Sequence, residues 1–341
     1  MILLDSIYIN NSGGKVLLDY LVDCLYRSDL DVFYLFDSRC SKDFQQIPEE
    51  KKLFLKKSLF SRHQFYKRNS DRFTKVFCFG NIPPTIRLNA TVYTYFHNLV
   101  LLQQPRDFSF RKKLDSKFKA FFIQLNIKNT DHFIVQSENV KNALENYYGL
   151  SKEKILVFPF FSENKNVIHT KVRNENDFVF ISDGNQHKNH DILLKAWKIV
   201  NTYKPEYKLH LTISHVYPTL RNLVETGEYS GYNILNHGRV AKEALTLLLS
   251  RSMYVVYPSL MESFGLGLIE GCEAGCEVIA ANRPYVHSVI KPLRTFEPLS
   301  AEHIAYTVLN TEMPTIKTSK LKIKDEISAL INLLKEESCV E

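Results

Sequence analysis

The sequence predicts an α/β protein of two doubly wound, Rossmann-like domains that face each other across a cleft. Strand-like apolar runs alternate with amphipathic helical runs from end to end, which is typical of parallel sheets covered by helices. The chain has 341 residues, enough for two domains that each bury a core. The alternation restarts after a polar stretch at 162–176. We therefore place the domains at residues 1–160 and 161–341.

Each domain contains the elements of one open parallel sheet. In the first domain we expect strands at 2–9, 31–36, 75–79, 91–96, 133–136 and 155–158, and helices at 15–27, 110–127 and 138–148. In the second we expect strands at 178–182, 208–213, 233–237, 253–257 and 277–281, and helices at 191–200, 242–250, 265–274 and 301–310. The tail 321–335 has helical periodicity and is expected to close the second domain. Open sheets of this kind bind ligands at the carboxyl ends of their strands.

The composition excludes several classes of protein. No apolar run approaches the roughly 20 residues that a membrane-spanning helix needs, and the N-terminus lacks the basic region of a signal peptide. The six cysteines form no CxxC pair, so neither a zinc site nor a disulfide framework is indicated. We expect a cytoplasmic protein that needs no metal.

The net charge of +7 lies entirely in the first half of the chain. Residues 1–150 contain 22 basic and 15 acidic side chains, whereas 151–341 contain 22 of each. Within 51–75 one acid accompanies nine bases: Lys51, Lys52, Lys56, Lys57, Arg62, Lys67, Arg68, Arg72 and Lys75. Apolar residues are interleaved with them. The stretch could bind an anionic membrane surface or a lipid diphosphate, be a solvated helix face, or bind nucleic acid, which no accompanying motif favours.

Two carboxylates mark the most informative segment of the second domain. Glu262 lies in a loop between a strand and a helix, and Glu270 follows eight residues later within ESFGLGLIE. Carboxylates accept strong hydrogen bonds from vicinal hydroxyls, as on a ribose or a hexose. The alternative is that both acids only stabilise the positive end of the helix.

A lysine precedes the first helix of the second domain. Asn189 is a natural N-cap for the helix at 191–200, which places Lys188 just outside its positive end. The helix dipole repels a cation there, so a bound anion such as a diphosphate explains it best. The alternatives are a solvated surface lysine, or a metal site with His187 and His190, for which no third ligand is near in sequence.

These residues resemble the Glu-x7-Glu motif of the retaining family-4 glycosyltransferases, which have the GT-B fold. Further stretches match in order: NNSGGKVLLDYL, DHFIVQSENVKNALENYYGL, KILVFPF, HKN with LLKAW, and NHGRV. The resemblance covers nearly the whole chain. It implies that residues 1–160 form the acceptor-side domain and residues 161–341 the domain that binds a nucleotide sugar, a UDP-sugar or a GDP-sugar.

The resemblance implies roles for matching positions. Glu270 would hold the ribose hydroxyls, and Glu262 would contact the transferred sugar together with the amides of three residues that follow it, Phe264, Gly265 and Leu266. Lys188 would neutralise the diphosphate, while Arg239 and Val240 match the base-binding strand end. The family usually has an arginine five or six residues before the lysine, where this chain has Ser182 and Asp183.

Three residues of the first domain are candidates for donor contact. Gly13 and Gly14 follow the first strand, where a backbone without side chains can approach a diphosphate, although they can also form only a flexible turn. They match neither GxGxxG nor a GK[ST] loop, which disfavours nicotinamide and ATP chemistry. In the resembling family a histidine at the position of His97 reaches the donor sugar. The alternative is a histidine satisfied by local backbone.

The sequence therefore predicts a retaining, metal-independent glycosyltransferase of polysaccharide biosynthesis. It would move a hexose from a nucleotide diphosphate to a glycan or polyprenyl-diphosphate-linked acceptor, as a peripheral protein at the inner face of the membrane. One alternative is a sugar-nucleotide epimerase of the same fold. Another is a catalytically inactive subunit that binds lipid or glycan; retention of both glutamates and Lys188 speaks against it.

Overall fold

The computed structural model describes residues 1–103, 110–163, 173–311 and 318–336. The chain divides into two compact units. The first comprises Met1–Ser162 together with the segment from Lys324 onward, and the second comprises Glu163–Ile323. Each unit is built around its own parallel sheet, so the prediction of two α/β domains agrees with the architecture.

The first unit has a seven-stranded parallel sheet of order β3-β2-β1-β4-β5-β6-β7. Its strands are β1 Ile2–Ser6, β2 Val32–Asp37, β3 Lys52–Leu55, β4 Lys75–Cys78, β5 Thr91–Tyr95, β6 His132–Val135 and β7 Ile155–Val157. The central strands are buried along their whole length, which explains their continuous apolar runs.

Four helices cover this sheet along the chain: α1 Ser12–Tyr26, α2 Leu59–Asn69, α3 Phe110–Asn126 and α4 Glu138–Tyr148. Because parallel crossovers are right-handed, the reversal of strand order after β3 puts α1 on one face and α2, α3 and α4 on the other. Sequence analysis missed β3 and α2. Their dense basic residues hid an apolar face on which Phe65 and Tyr66 are buried against β1, β2 and β4.

The second unit has a six-stranded parallel sheet of order β10-β9-β8-β11-β12-β14. Its strands are β8 Asn174–Phe180, β9 Lys208–Leu211, β10 Ile234–Asn236, β11 Ser252–Tyr257, β12 Glu277–Ala281 and β14 Arg294–Phe296. Two short strands, β13 Ile290–Lys291 and β15 Lys320–Leu321, pair antiparallel beside it. The edge strand β14 was not predicted, because three residues carry too weak a pattern.

Helices accompany each crossover of this second sheet. They are α5 His190–Tyr203, α6 Pro218–Glu225, α7 Lys242–Arg251, α8 Leu266–Glu273, α9 Pro284–Val289 and α10 Ala301–Leu309. Four of them were predicted; the short α6 and α9 were not. Trp197 of α5 is fully buried and lies edge-on to Phe178 of β8, which fixes the helix on the sheet.

The C-terminal helix, α11 Ile327–Lys335, belongs to the first unit, so its predicted place in the second domain is wrong. Its apolar face of Ile327, Leu330 and Leu334 is buried. Asp325, just before the helix, accepts hydrogen bonds from the Phe161 amide and the Tyr20 hydroxyl. Periodicity identified this helix but could not identify its partner, because an apolar stripe is compatible with any apolar surface.

Candidate functional site

The carboxyl edge of the second sheet brings Lys188 and Glu262 into direct contact. Strand β11 ends at Tyr257, and the loop that follows carries Glu262. The Lys188 Nζ lies 2.7 Å from Glu262 Oε1, and the Tyr257 hydroxyl donates to the same oxygen at 3.1 Å. The side chains of Lys188 and Glu262 are only 15% and 11% exposed, so the pair is shielded from solvent. Two residues 74 positions apart therefore form one charged centre.

The ionisation of Glu262 depends on neighbouring cations. Burial opposes ionisation, but the positive charges of Lys188 and His187 and the hydrogen bond from Lys188 outweigh it, so the pKa of Glu262 lies below its usual value. Glu262 is consequently a carboxylate at neutral pH, able to accept hydrogen bonds.

Lys188 occupies its place through the local backbone. A single 3₁₀ turn, Gln186–Lys188, ends at Asn189, which has φ of +63° and precedes α5. The Asn189 side chain makes no cap; its Nδ2 donates to the carbonyls of Pro258 and Pro298. The position of Lys188 before the helix agrees with the prediction. In the structure the Lys188 ammonium group pairs with the carboxylate of Glu262.

Glu270 lies on α8, close to the same tyrosine. Burial raises the pKa of Glu270 to about 7, with the charge of Glu273 adding to this and that of Lys242 opposing it. The pKa of Tyr257 is raised well above 10 by burial, by the charges of Glu262 and Glu270, and by Tyr285. Both carboxylates therefore act on the Tyr257 hydroxyl, although no hydrogen bond between Tyr257 and Glu270 is found.

Two glycines allow α8 to start where it does. Gly265 is the N-cap and has φ of +82°, a conformation that favours glycine. A Cβ on Gly267 would lie 2.9 Å from Tyr257 Cε2 and 3.3 Å from the Ile181 carbonyl oxygen, so the helix needs glycine to lie against β11. Leu266 begins the helix and Phe264 is buried just before it. The first N–H groups of a helix have no acceptor within it and can bind an anion.

Ser182 and Asp183, where the resemblance implies an arginine, do not provide a cation. The Ser182 side chain is buried and donates to the Asp183 carbonyl, while Asp183 Oδ1 accepts from the backbone and side-chain N–H groups of Asn185. His190 is also buried, and burial together with the charge of Lys188 lowers its pKa to about 3. Among the described residues no group of three or more His, Cys, Asp or Glu side chains could hold a metal ion.

Arg239 and Val240 follow β10 at the same carboxyl edge, and Arg239 is exposed. Just before them, His237 Nε2 lies 2.9 Å from Nδ1 of the buried His210. In the described parts of the chain, no contact links Arg239 or Val240 to Lys188 or to either glutamate. Their assignment to base binding stays a prediction.

In the first unit the predicted residues Gly14 and His97 are neighbours. Helix α1 starts at Ser12, so Gly13 and Gly14 lie in its first turn. A Cβ on Gly14 would be 3.3 Å from His97 Nε2. The His97 ring stacks on Phe79, its backbone N–H donates to Asn81, and burial lowers its pKa to about 4. His97 is therefore a neutral imidazole at pH 7.

The basic stretch 51–75 is not one continuous cationic surface. Lys52 is buried and donates to the Phe44 and Ile47 carbonyls. Arg62 is fully buried and forms an ion pair with Asp5 at 2.6 Å, and Lys75 donates to the Leu333 carbonyl. The prediction that Lys52 and Arg62 contact an acceptor or membrane is wrong, because both satisfy buried acceptors within this unit. The exposed cations of the stretch are Lys51, Lys56, Lys57, Lys67, Arg68 and Arg72.

Sequence reasoning missed three residues of this site. Tyr257 was taken only as the end of a strand, and His187 only as a possible metal ligand. Tyr285 lies on α9 and donates to the Ser259 carbonyl at 2.7 Å, which holds the loop that carries Glu262. A tyrosine directly before the Pro258 break was the one available signal, since ligands bind at the carboxyl ends of the strands in such sheets.

Comparison with known proteins identifies the second unit. Residues 161–310 match the family model of glycosyl transferases group 1. The matched range contains all the candidate residues of this unit, from Ser182 to Glu270. This similarity agrees with the glycosyltransferase that the sequence predicts.

A curated relative is the O-antigen chain mannosyltransferase RfbU of Salmonella typhimurium. This chain is 25% identical to it over 215 residues, which cover 62% of this chain and 60% of that protein. The match therefore spans about three-fifths of the length of this relative.

Solved structures share the fold of this chain. Sucrose-phosphate synthase of Thermosynechococcus elongatus has a TM-score of 0.72 at 15% identity, covering 90% of this chain and 88% of that one. The lipopolysaccharide outer core galactosyltransferase WaaB has a TM-score of 0.61 at 14% identity, covering 99% of this chain and 95% of that one. HepE of Anabaena, solved with UDP and glucose, has a TM-score of 0.63 at 14% identity, covering 90% of this chain and 88% of that one. The predicted GT-B fold, with two parallel-sheet α/β units, is confirmed.

Proposed function

We propose that the protein transfers a hexose from a nucleotide diphosphate donor to a glycan or polyprenyl-diphosphate-linked acceptor, with retention of configuration and without a metal ion. The observation that carries this proposal is the shielded Lys188–Glu262 pair at the N-terminal end of α8, with Glu270 beside the same tyrosine. A cation, a helix start and two carboxylates match a donor that combines a diphosphate with two hydroxyl-bearing rings.

The proposed step exchanges one bond at the anomeric carbon. The bond from C1 to the diphosphate oxygen breaks, and a bond from C1 to the acceptor oxygen forms on the same face of the sugar. The acceptor proton passes to the departing diphosphate, since no strong general base is evident. Lys188 and the N–H groups of Phe264, Gly265 and Leu266 would stabilise the charge that develops on the leaving oxygens.

The carboxylates and the first unit would position the donor. We propose that Glu270 accepts hydrogen bonds from the ribose hydroxyls and Glu262 from the transferred sugar, with Arg239 and Val240 beside the base. His97 is neutral, so it would donate or accept a hydrogen bond to the sugar without adding charge. Gly13 and Gly14 would allow the diphosphate close to the start of α1.

The relatives guide the choice of donors and acceptors. The name of RfbU makes mannose the first sugar to test, linked to either GDP or UDP, and an O-antigen chain the first type of acceptor. HepE was also solved with UDP-glucose, which makes that donor the second choice. The exposed cations Lys51, Lys56, Lys57, Lys67, Arg68 and Arg72 are proposed to attract a lipid-linked diphosphate.

Thermal unfolding with a panel of UDP, GDP and their sugars tests donor binding. A ligand at 100 times its Kd stabilises the folded state by about 2.7 kcal/mol, which is easily measured. Transfer is then followed by mass spectrometry with lipid-linked oligosaccharides, and NMR of the product reports the anomeric configuration. Stabilisation without any transfer product, or a product of inverted configuration, would contradict the proposal.

Chelation tests the metal-independent mechanism. Transfer should continue unchanged in EDTA and should not increase when Mg²⁺ or Mn²⁺ is added afterwards. A loss of activity that added metal restores would show that a cation, rather than Lys188 and the α8 amides, neutralises the leaving group.

A further inference from the structure

Helix α3 of the first unit exposes a continuous apolar stripe. Leu114, Phe118, Phe121 and Leu125 are 58%, 65%, 57% and 56% exposed. Their spacings of four, three and four residues place them along one line of an α-helix with 3.6 residues per turn. No other helix in the described parts of the chain presents four large apolar side chains to solvent in this way. Such a patch on a protein surface marks an interaction site.

The opposite side of α3 is occupied by the core of its own unit. Ser116, Ala120 and Ile123 are buried there, and the Tyr148 hydroxyl of α4 donates to the Ala120 carbonyl at 3.1 Å. The helix is thus already packed on the sheet, and the apolar stripe faces directly away from that packing. Folding of the unit does not need these four side chains.

The stripe is bordered by cations on both sides. At 100° per residue, Arg111 lies about 60° to one side of the stripe and Lys117 about 60° to the other, and both are exposed. The helix has five basic residues and one acid, Asp115, which pairs with Lys119. An apolar ridge with a cation on each side is the arrangement of helices that lie in the plane of a membrane surface.

We propose that α3 docks on an anionic lipid bilayer, with the stripe inserted among the acyl chains and the flanking cations at the level of the phosphates. Charge complementarity favours this occupant over a second copy of the chain. Two copies that met stripe to stripe would bring the flanking cations Arg111 and Lys117 of both helices together, whereas anionic headgroups neutralise them. This inference goes beyond the proposed transfer activity, because vesicle binding needs neither donor nor acceptor.

Helix α2 extends the same face of the sheet. It carries Phe60, which is 70% exposed, and the exposed cations Lys67 and Arg68. The loop after β4 links the two helices: Arg62 of α2 donates to the Pro83 carbonyl, and Asn129, just after α3, donates to the next carbonyl, that of Pro84. Membrane contact is thereby assigned to α3, with α2 in support, and not to the buried Lys52 and Arg62.

Flotation with vesicles tests the proposal. Wild-type protein should float with phosphatidylcholine vesicles that contain phosphatidylglycerol, and much less with phosphatidylcholine alone. The double variant Phe118→Ser/Phe121→Ser should lose at least about tenfold in partition coefficient, because it removes most of the inserted area. The matched control is Tyr203→Ser/Tyr306→Ser in the second unit, which replaces aromatic residues that are 70% and 65% exposed. It should bind vesicles as the wild type does.

Three results would overturn the proposal. They are wild-type protein that does not float with the anionic vesicles, a Phe118→Ser/Phe121→Ser variant that floats as well as the wild type, and a wild-type dimer that this variant converts to a monomer. The last result would assign the stripe to a second copy of the chain. Bromolipid quenching of a Phe118→Trp variant gives an independent measure, since Trp197 is fully buried and the new indole should be the quenched one.

Discussion

The Glu262 carboxylate is the residue on which the charge balance of the site depends. It lies against Lys188, accepts from Tyr257 and is nearly shielded from water. A buried charge pair gives little net stability, since desolvation offsets most of the attraction, but loss of one partner leaves the other uncompensated. The pair places an ammonium group beside a helix start, and in the proposed function a diphosphate would replace the carboxylate as its counter-ion.

Substitution of Lys188 by alanine should reduce turnover about 10²–10³-fold, because the developing charge on the leaving diphosphate loses its closest cation. Steady-state kinetics measure the effect, with the donor that the thermal-unfolding panel selects. The matched control is Lys198→Ala on α5, where the lysine forms an exposed pair with Glu228 and lies over the rings of Tyr229 and Tyr232. Unchanged turnover in a Lys188→Ala variant that melts cooperatively would remove its proposed role.

Glu270 should make nucleotide binding depend on pH. Its pKa of about 7 means that it is half protonated near neutrality, and the protonated form is the poorer acceptor for ribose hydroxyls. Affinity for UDP or GDP should therefore rise from about pH 6 to about pH 8, and binding should release protons near pH 7. Calorimetry in buffers of different ionisation enthalpy measures both. Glu270→Gln should bind weakly with no such pH dependence; an identical pH profile would contradict the assignment.

The raised pKa of Glu270 also makes the stability of the protein fall as pH rises, whereas nucleotide affinity should increase. The folded state holds the Glu270 proton more tightly than the unfolded chain does, so stability is lost as pH rises through the folded pKa of about 7. A tenfold difference in proton affinity between the two states corresponds to about 1.4 kcal/mol. Glu270→Gln should therefore raise the Tm at about pH 8, and the gain should shrink towards about pH 5. Equal gains at both pH values would show that Glu270 ionises normally.

At the scale of elements, close helix–strand packing brings the site residues together. Helix α8 approaches β11 because Gly267 faces Tyr257 and Gly271 faces Val255, where a Cβ would lie 2.9 Å and 2.8 Å from the nearest side-chain atoms. This spacing of four residues keeps one side of the helix free of side chains. The consequence is that Glu270 lies close enough for its charge to act on the buried Tyr257 hydroxyl.

Gly267→Ala should disturb this packing. The added methyl group clashes with Tyr257 and the Ile181 carbonyl, and overpacking of this kind costs about 1–3 kcal/mol. We expect a lower free energy of unfolding together with weaker nucleotide binding, measured by urea denaturation and titration calorimetry. Gly231→Ala is the control, because a Cβ there meets no atom within 4 Å. Equal effects of both substitutions would argue against close α8–β11 packing.

At the scale of the whole molecule, the chain returns to its first unit after completing the second. Asp325 and α11 are bound to the first unit by the Phe161 amide, the Tyr20 hydroxyl and the Lys75 ammonium group. Each unit keeps its own sheet and core. No helix in the described parts of the chain is long and apolar enough to cross a membrane.

Leu330→Ala should destabilise the first unit selectively. Leu330 is fully buried on α11, and a leucine-to-alanine change in a core costs about 2–5 kcal/mol. Hydrogen exchange should accelerate in α1 and β4, whereas amides of β8 and β11 should keep their protection. Asn332→Ala on the exposed side of the same helix is the control. Loss of protection in β8 and β11 instead would place α11 with the second unit.

Much of the fold could be predicted because burial leaves a periodic pattern in the sequence. Strands such as Val32–Asp37 and Ser252–Tyr257 are buried on both faces, so their apolar runs identified them. The short edge strand Arg294–Phe296 and the helix Leu59–Asn69 were not predicted, the first because it is short and the second because basic residues interrupt its apolar pattern.

The candidate site, like the fold, could be predicted from the sequence only in part. Sequence alone determined which residues have the right chemistry, because ESFGLGLIE, HKN and the strand–helix order are local properties. Only the tertiary structure decided that Lys188 pairs with Glu262, that Tyr257 donates to Glu262, and that Arg62 is a buried partner of Asp5. The two ion pairs depend on side chains far apart in the chain that meet at sheet edges, and charge or periodicity carries no information about which distant partner a side chain will find.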